Sequence, residues 1–229
     1  MRNRHQVKVT REIPFEDDVR LISFPWDIFM LNDWAIREDF NILTRKRKSQ
    51  AIPKSCVAIG KDIFIEKGAK LQHCTLNASM GPIYIGRDAE VMEGSQIRGP
   101  FAMGEKACVK MGAKIYGATT VGPYSIVAGE VKNSVLFGYS NKAHDGYLGD
   151  SVIGEWCNMG AGTTNSNLKN NAGTVRIWTV KGERDAGLKM RCADGRLLTY
   201  CHQYIHQYGN GYWRKLSCGG IRPYTKVHS

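Results

Sequence analysis

Residues 85–131, IGRDAEVMEGSQIRGPFAMGEKACVKMGAKIYGATTVGPYSIVAGEV, decide the fold. Aliphatic side chains fall at Ile85, Val91, Ile97, Met103, Val109, Ile115, Val121 and Val127, eight successive positions six residues apart. Four residues after each stand Ala89, Ser95, Phe101, Ala107, Ala113, Thr119, Ser125 and Val131, nearly all small or β-branched. An α-helix turns about 600° in six residues, which would scatter these aliphatics around its circumference. A solenoid keeps them in register. Each hexapeptide then supplies a short strand and a corner, the aliphatic residue points inward, and stacked coils share backbone hydrogen bonds at about 4.8 Å. Glycine directly follows the inward residue at Gly60, Gly86, Gly104, Gly122, Gly154 and Gly160, as expected where backbones bend or approach closely.

The same frame occurs earlier at Ile59, Ile65 and Leu71 and returns at Ile153 and Met159, with interruptions at 72–84 and 128–152. Upstream, WDIFMLNDWAIREDFNILT (26–44) spaces Ile28, Leu31, Ala35, Ile36, Phe40 and Leu43 by threes and fours after Pro25, which predicts one amphipathic helix. It runs into Arg45-Lys46-Arg47-Lys48, a solvated basic linker. The expected organisation is a linker and helix over 1–56, a β-helix over 57–178 and a tail over 179–229. The fold class is mainly β: a parallel β-helix of hexapeptide repeats with an N-terminal helical segment.

Of the 229 residues 42% are hydrophobic and 23% charged, enough apolar material for a sizeable core, which excludes a wholly disordered chain. No run of 18 apolar residues and no signal-length stretch behind Met1 is present, so the reading is cytoplasmic, with no membrane partner. The seven cysteines are odd in number and lack CxxC spacing, which suggests neither a disulfide framework nor a zinc site, and no metal is expected. The net charge of +11 is uneven: residues 179–229 hold nine Lys or Arg against three acids. The basicity is largely a property of the tail, and no nucleic-acid partner is expected.

The [LIV]-G-x-x-[small]-x frame resembles the left-handed parallel β-helix of hexapeptide-repeat acyltransferases. More narrowly, FPWDIFMLND (24–33), LNASMGPIYIGRDAEVMEGSQIRGPFA (76–102) and SNKAHDGYLGDSVIGEWCNMGAG (140–162) resemble the C-terminal half of the bifunctional sugar-1-phosphate nucleotidyltransferase and acetyltransferase family. That resemblance implies left-handed coils, homotrimers with sites between neighbours, acetyl-CoA as acyl donor, and an amino-sugar phosphate substrate in UDP-N-acetylglucosamine-type synthesis. The family motif K-A-(G)-H-x-x-Y-L-G-D is reproduced at 142–150 with one residue missing before the histidine. It implies that His144 is the general base, a role suited to an imidazole titrating near neutrality. His144 falls inside the longer interruption, read as a loop leaving the coil. The resemblance also implies sugar contacts for Tyr147 and Asn158, a phosphate contact for Lys132, and hydrogen bonding near the acetyl group for Asn167. Asparagines in a β-helix also form ladders of their own, which is the plainer reading of either one.

Three departures accompany the match. Met103 and Glu105 stand where the family has a phosphate-binding R-x-R pair, and Leu168 replaces an aromatic. They favour an alternative reading as a non-catalytic oligomerisation or regulatory module. A Gly-rich phosphate loop of the nucleotidyltransferase half is not found, so no nucleotidyl transfer is expected of this sequence. After Trp178 the hexapeptide frame stops. Written as plausible codons and read one base later, residues 202–208 become Ile-Asn-Thr-Ser-Ile-Asn-Thr, so 179–229 is expected to be an out-of-frame or disordered tail.

Overall fold

Fifteen to twenty-one residues carry the chain once around a three-sided coil, and successive coils stack in parallel register. The computed structural model describes residues 19–165 and, beyond them, the backbone of short strands at 176–179, 182–185, 193–194, 206–208 and 212–214. Face A is built from Val57–Ile59, Thr75–Asn77, Gln96–Arg98, Lys114–Tyr116, Glu130–Lys132 and Tyr147–Gly149. Face B contains Ile63–Ile65, Ile83–Ile85, Phe101–Met103, Thr119–Val121, Val135–Leu136 and Val152–Ile153, and face C runs from Lys70–Leu71 through Glu90–Val91, Cys108–Val109 and Ile126–Val127 to Asn141–Lys142. The protein is a parallel β-solenoid of five complete turns, as the six-residue period predicts.

The inward columns are the ones the period selects. Ile97 and Ile115 stack on face A, Ile85, Met103 and Val121 on face B, and Val91, Val109 and Val127 on face C, each at most 1% exposed. Phe101, in a position expected to be small, is itself a core side chain on face B. Small polar residues at the corners tie coil to coil: the hydroxyls of Ser95, Ser125 and Ser140 donate to the carbonyls of Lys110, Phe137 and Gly154. The glycine column follows from sterics, since a Cβ on Gly86, Gly104 or Gly122 would lie 2.5–2.7 Å from backbone of the next coil.

Two expectations are corrected. The stretch 128–152 is not an excursion from the coil: strands at 130–132, 135–136, 141–142, 147–149 and 152–153 continue all three faces. The frame is lost because the corners shorten, so that Val121 pairs with Leu136 and Val127 with Lys142, each 15 residues on. The interruption at 72–84 is the opposite case, a coil lengthened to 21 residues between Leu76 and Ile97. Ile59 is 45% exposed; Ala58 takes the inward register, stacked on Leu76.

The predicted helix divides into α1 (Asp27–Met30) and α2 (Asn32–Thr44). The two lie over face B. Phe29 packs with Val135 and Val152, and the buried Asn32 amide donates to Ala118 O at 2.7 Å and accepts from Thr120 Oγ1 at 2.8 Å. The buried face is Phe29, Asn32 and Ile36, and Leu43, counted above in the apolar stripe, is 46% exposed. From the basic cluster Arg47 docks on the solenoid, pairing with Glu66 and lying over the Phe64 ring at 5.2 Å. Face B is thereby covered, while the outer surface of face A is left with a groove.

Candidate active site

On face A the inward aliphatics are flanked by residues that point outward, and these flanks are polar or aromatic: Thr75 and Asn77, Gln96 and Arg98, Lys114 and Tyr116, Glu130 and Lys132, then Tyr147. They bound a groove of about 440 Å³ spanning the strands from Thr75 to Glu130. Two cations, Arg98 and Lys114, one carboxylate, Glu130, two side-chain amides and a phenol line it. Tyr116 donates its hydroxyl to Glu130 Oε1 at 2.5 Å across one coil step. That hydrogen bond is the main reason the Tyr116 phenol is pushed up to about 12, with burial adding to it.

Above the groove Lys132 and Tyr147 stand on adjacent strands of face A. Lys132 is in register with Gly149, and the Tyr147 ring lies back over that glycine, so that a Cβ there would sit 2.2 Å from the Tyr147 hydroxyl. Glycine at 149 thus lets the hydroxyl lie beside the lysine column. His144 is exposed at the corner between faces C and A, three residues before Tyr147. Its main chain is held from within: Lys142, 2% exposed, occupies the inward column above Val127 and donates Nζ to His144 O and, at 3.1 Å, to Ala128 O. Burial lowers the Lys142 pKa, partly opposed by Asp145. The corner is tight, since a Cβ on Gly146 would meet Thr163 O at 2.2 Å.

Asn158 lies elsewhere. It is exposed on face C, bridged to Asn141, whose Nδ2 donates to Asn158 Oδ1 at 2.9 Å. That is the ladder geometry, and it puts the corner between Asn158 and the Lys132–Tyr147 pair. Asn167 and Leu168 lie outside the described residues, as does almost all of the tail over 179–229. Met103 is not displacing a ligand-binding arginine: it is 1% exposed and points into the core, so that position offers nothing to a phosphate. Glu105 is paired with Arg87 at 3.5 Å. Among the described residues no group of three or more His, Cys, Asp or Glu could hold a metal ion, and no helix is long and apolar enough to cross a membrane.

Comparison with known proteins bears on both parts of the chain. Residues 2–48 match a family model described as sugar nucleotidyl transferase. The bifunctional protein GlmU of Bordetella parapertussis is 31% identical over 124 residues, 50% of this chain and 27% of the relative. The bifunctional sugar-1-phosphate nucleotidylyltransferase/acetyltransferase of Sulfurisphaera tokodaii is 33% identical over 192 residues, 80% of this chain and 39% of the relative. The chain fits the C-terminal β-helix half of a GlmU-like protein. It spans 27–39% of the length of these two GlmU-like relatives. Of the site residues expected from the sequence, Lys132 and Tyr147 stand on face A and His144 at the corner before it, and the groove below them was not anticipated. The available signal was the flanks of every third hexapeptide, polar on face A alone in so regular a run, and it becomes visible only when repeats are grouped by coil.

Proposed function

We propose that the solenoid is an acyltransferase lobe that acetylates the amine of an amino-sugar 1-phosphate, in UDP-N-acetylglucosamine-type nucleotide-sugar synthesis. What supports this reading is the polar groove on face A, with Lys132 and Tyr147 on the strands that continue that face and the exposed His144 at the corner before Tyr147. Lys132 neutralises the sugar phosphate, with Arg98 and Lys114 adding positive potential along the groove. The Tyr147 hydroxyl holds the sugar ring, and the His144 imidazole accepts the proton that the amine loses as its nitrogen attacks. Acetyl-CoA, when bound, supplies the thioester carbonyl. The donor set fits the acceptor sugar; Asn167, the residue expected to serve the acetyl group, lies outside the described residues. In this reading the protein works in the cytoplasm as a homotrimer, which completes each site from a neighbouring coil stack.

The test is thiol release from acetyl-CoA in the presence of glucosamine 1-phosphate, comparing the full chain with His144→Ala. Loss of about 10²-fold or more in rate with an unchanged melting temperature supports His144 as the base. Full turnover in the variant removes it from that role. No acetyl-CoA consumption by the parent chain favours an oligomerisation module instead, which sedimentation would then report as a trimer without activity.

A further inference from the structure

Cys56 and Cys74 face one another across the first coil step. They immediately precede the in-register pair Val57 and Thr75, and Val57 N donates to Cys74 O at 2.9 Å. Both thiols are reduced, and their sulfurs are 3.5 Å apart. Adjacent strands are roughly 4.8 Å apart, and disulfides span Cα separations of roughly 4.4–6.8 Å, so the two backbones already stand at bonding distance. Bond formation requires the sulfurs to close by about 1.5 Å. The geometry favours that movement at this end of the solenoid. The strand at 57–59 is exposed at all three residues and, among the described residues, pairs on one side only, so the first coil can settle toward the second without displacing a described strand beneath it.

We propose that Cys56 and Cys74 form an oxidation site, a dithiol that closes into a disulfide stapling the first coil to the second. Cys56 is half-buried and Cys74 is 2% exposed, which sets the order of reaction. With a small disulfide such as oxidised glutathione as oxidant, the Cys56 thiolate attacks one sulfur and releases one glutathione thiolate. Cys74 then attacks the Cys56 sulfur, passes its proton to solvent, and releases the second glutathione. Two protein thiols are oxidised and one small disulfide is reduced to two thiols. Burial above all, with help from the neighbouring Cys56, pushes the Cys74 thiol up to about 12, so the second step is the slow one and quickens as pH rises. The staple lies on the core side of the sheet: Cys74 belongs to the buried core, with Cys56 packed against it.

The experiment exposes the folded full chain to oxidised glutathione and maps peptides without reduction. The expected result is a Cys56–Cys74 cross-linked peptide, a loss of two titratable thiols and a higher melting temperature that dithiothreitol reverses. Cys74→Ala should instead accumulate glutathione on Cys56, and Cys56→Ser, changed at the half-exposed partner, should leave Cys74 unmodified. Stable glutathione on Cys56 of the parent chain, a link to a different cysteine, or a cross-link that appears only in denaturant would overturn the proposal. None of these outcomes depends on acetyl transfer.

Discussion

Lys142 donates its buried ammonium to the carbonyl of His144, two residues further along the chain. The inward column beneath it is aliphatic, Val91, Val109 and Val127, so a cation here interrupts a hydrocarbon stack. What it gains is a fixed corner: two carbonyls, from Ala128 and His144, converge on one nitrogen. Exchanging a buried ionic group for an apolar one of similar volume is often neutral or stabilising. We therefore expect Lys142→Met to fold with stability within about 1 kcal/mol of the parent, and Lys142→Ala to lose about 2–4 kcal/mol through the cavity it leaves. Burial lowers the lysine's pKa, so the folded state holds this proton less well than the unfolded chain. Its cost is present at neutral pH and fades as pH rises from the lowered value toward the ordinary lysine range. Denaturant unfolding at several alkaline pH values should show that rise in the parent and not in Lys142→Met.

The phenol of Tyr116 is predicted to titrate near 12 because it donates to Glu130. Ultraviolet difference titration should lose one high-titrating phenol in Tyr116→Phe, and Glu130→Gln should move it back toward about 10. A raised folded-state pKa stabilises fully below the unfolded value. This bond's contribution, about 1 kcal/mol, is therefore present through neutral pH and lost as pH climbs from the ordinary tyrosine value through the raised one.

Close backbone approach predicts a graded response among the glycines. A Cβ on Gly122 would lie 2.5 Å from Phe137 C, whereas one on Gly112 meets nothing within 4 Å and faces only a φ of +68°. Gly122→Ala should cost about 2–3 kcal/mol by overpacking, and Gly112→Ala about 1 kcal/mol by left-handed strain. Equal melting temperatures for the two variants would contradict the stacking argument.

Glu66 joins the basic segment to the solenoid, accepting from Arg47 and from Tyr84 Oη. Burial alone would raise its carboxyl, but the hydrogen bonds from Tyr84 and Arg47, the Arg47 charge and the Arg87 backbone together outweigh burial and hold it below the usual range. Its contribution is present above the ordinary carboxylate pKa and is lost as pH falls through the lowered one. Glu66→Gln should cost about 1 kcal/mol near neutrality and progressively less under acid, read by thermal melts at descending pH.

The six-residue period alone dictates the solenoid and its interior. Inward position depends on a short translational period, and eight aliphatics in one frame leave a single consistent way to bury them. The helix over face B was legible for the same reason, through a period of its own, although its polar anchor Asn32 was not. Which residues meet across coils was decided only in three dimensions. Coil length varies from 15 to 21 residues, so each insertion or shortened corner shifts what stands above what, and six-residue counting loses the register after Val127. That is why His144 reads as part of a loop and proves to be a corner, whereas Met103, which precedes the loss of register, is core as the six-residue frame has it. The face A groove and the Cys56–Cys74 pair have the same origin: residues 14 to 21 apart in the chain become neighbours only once the coils are stacked.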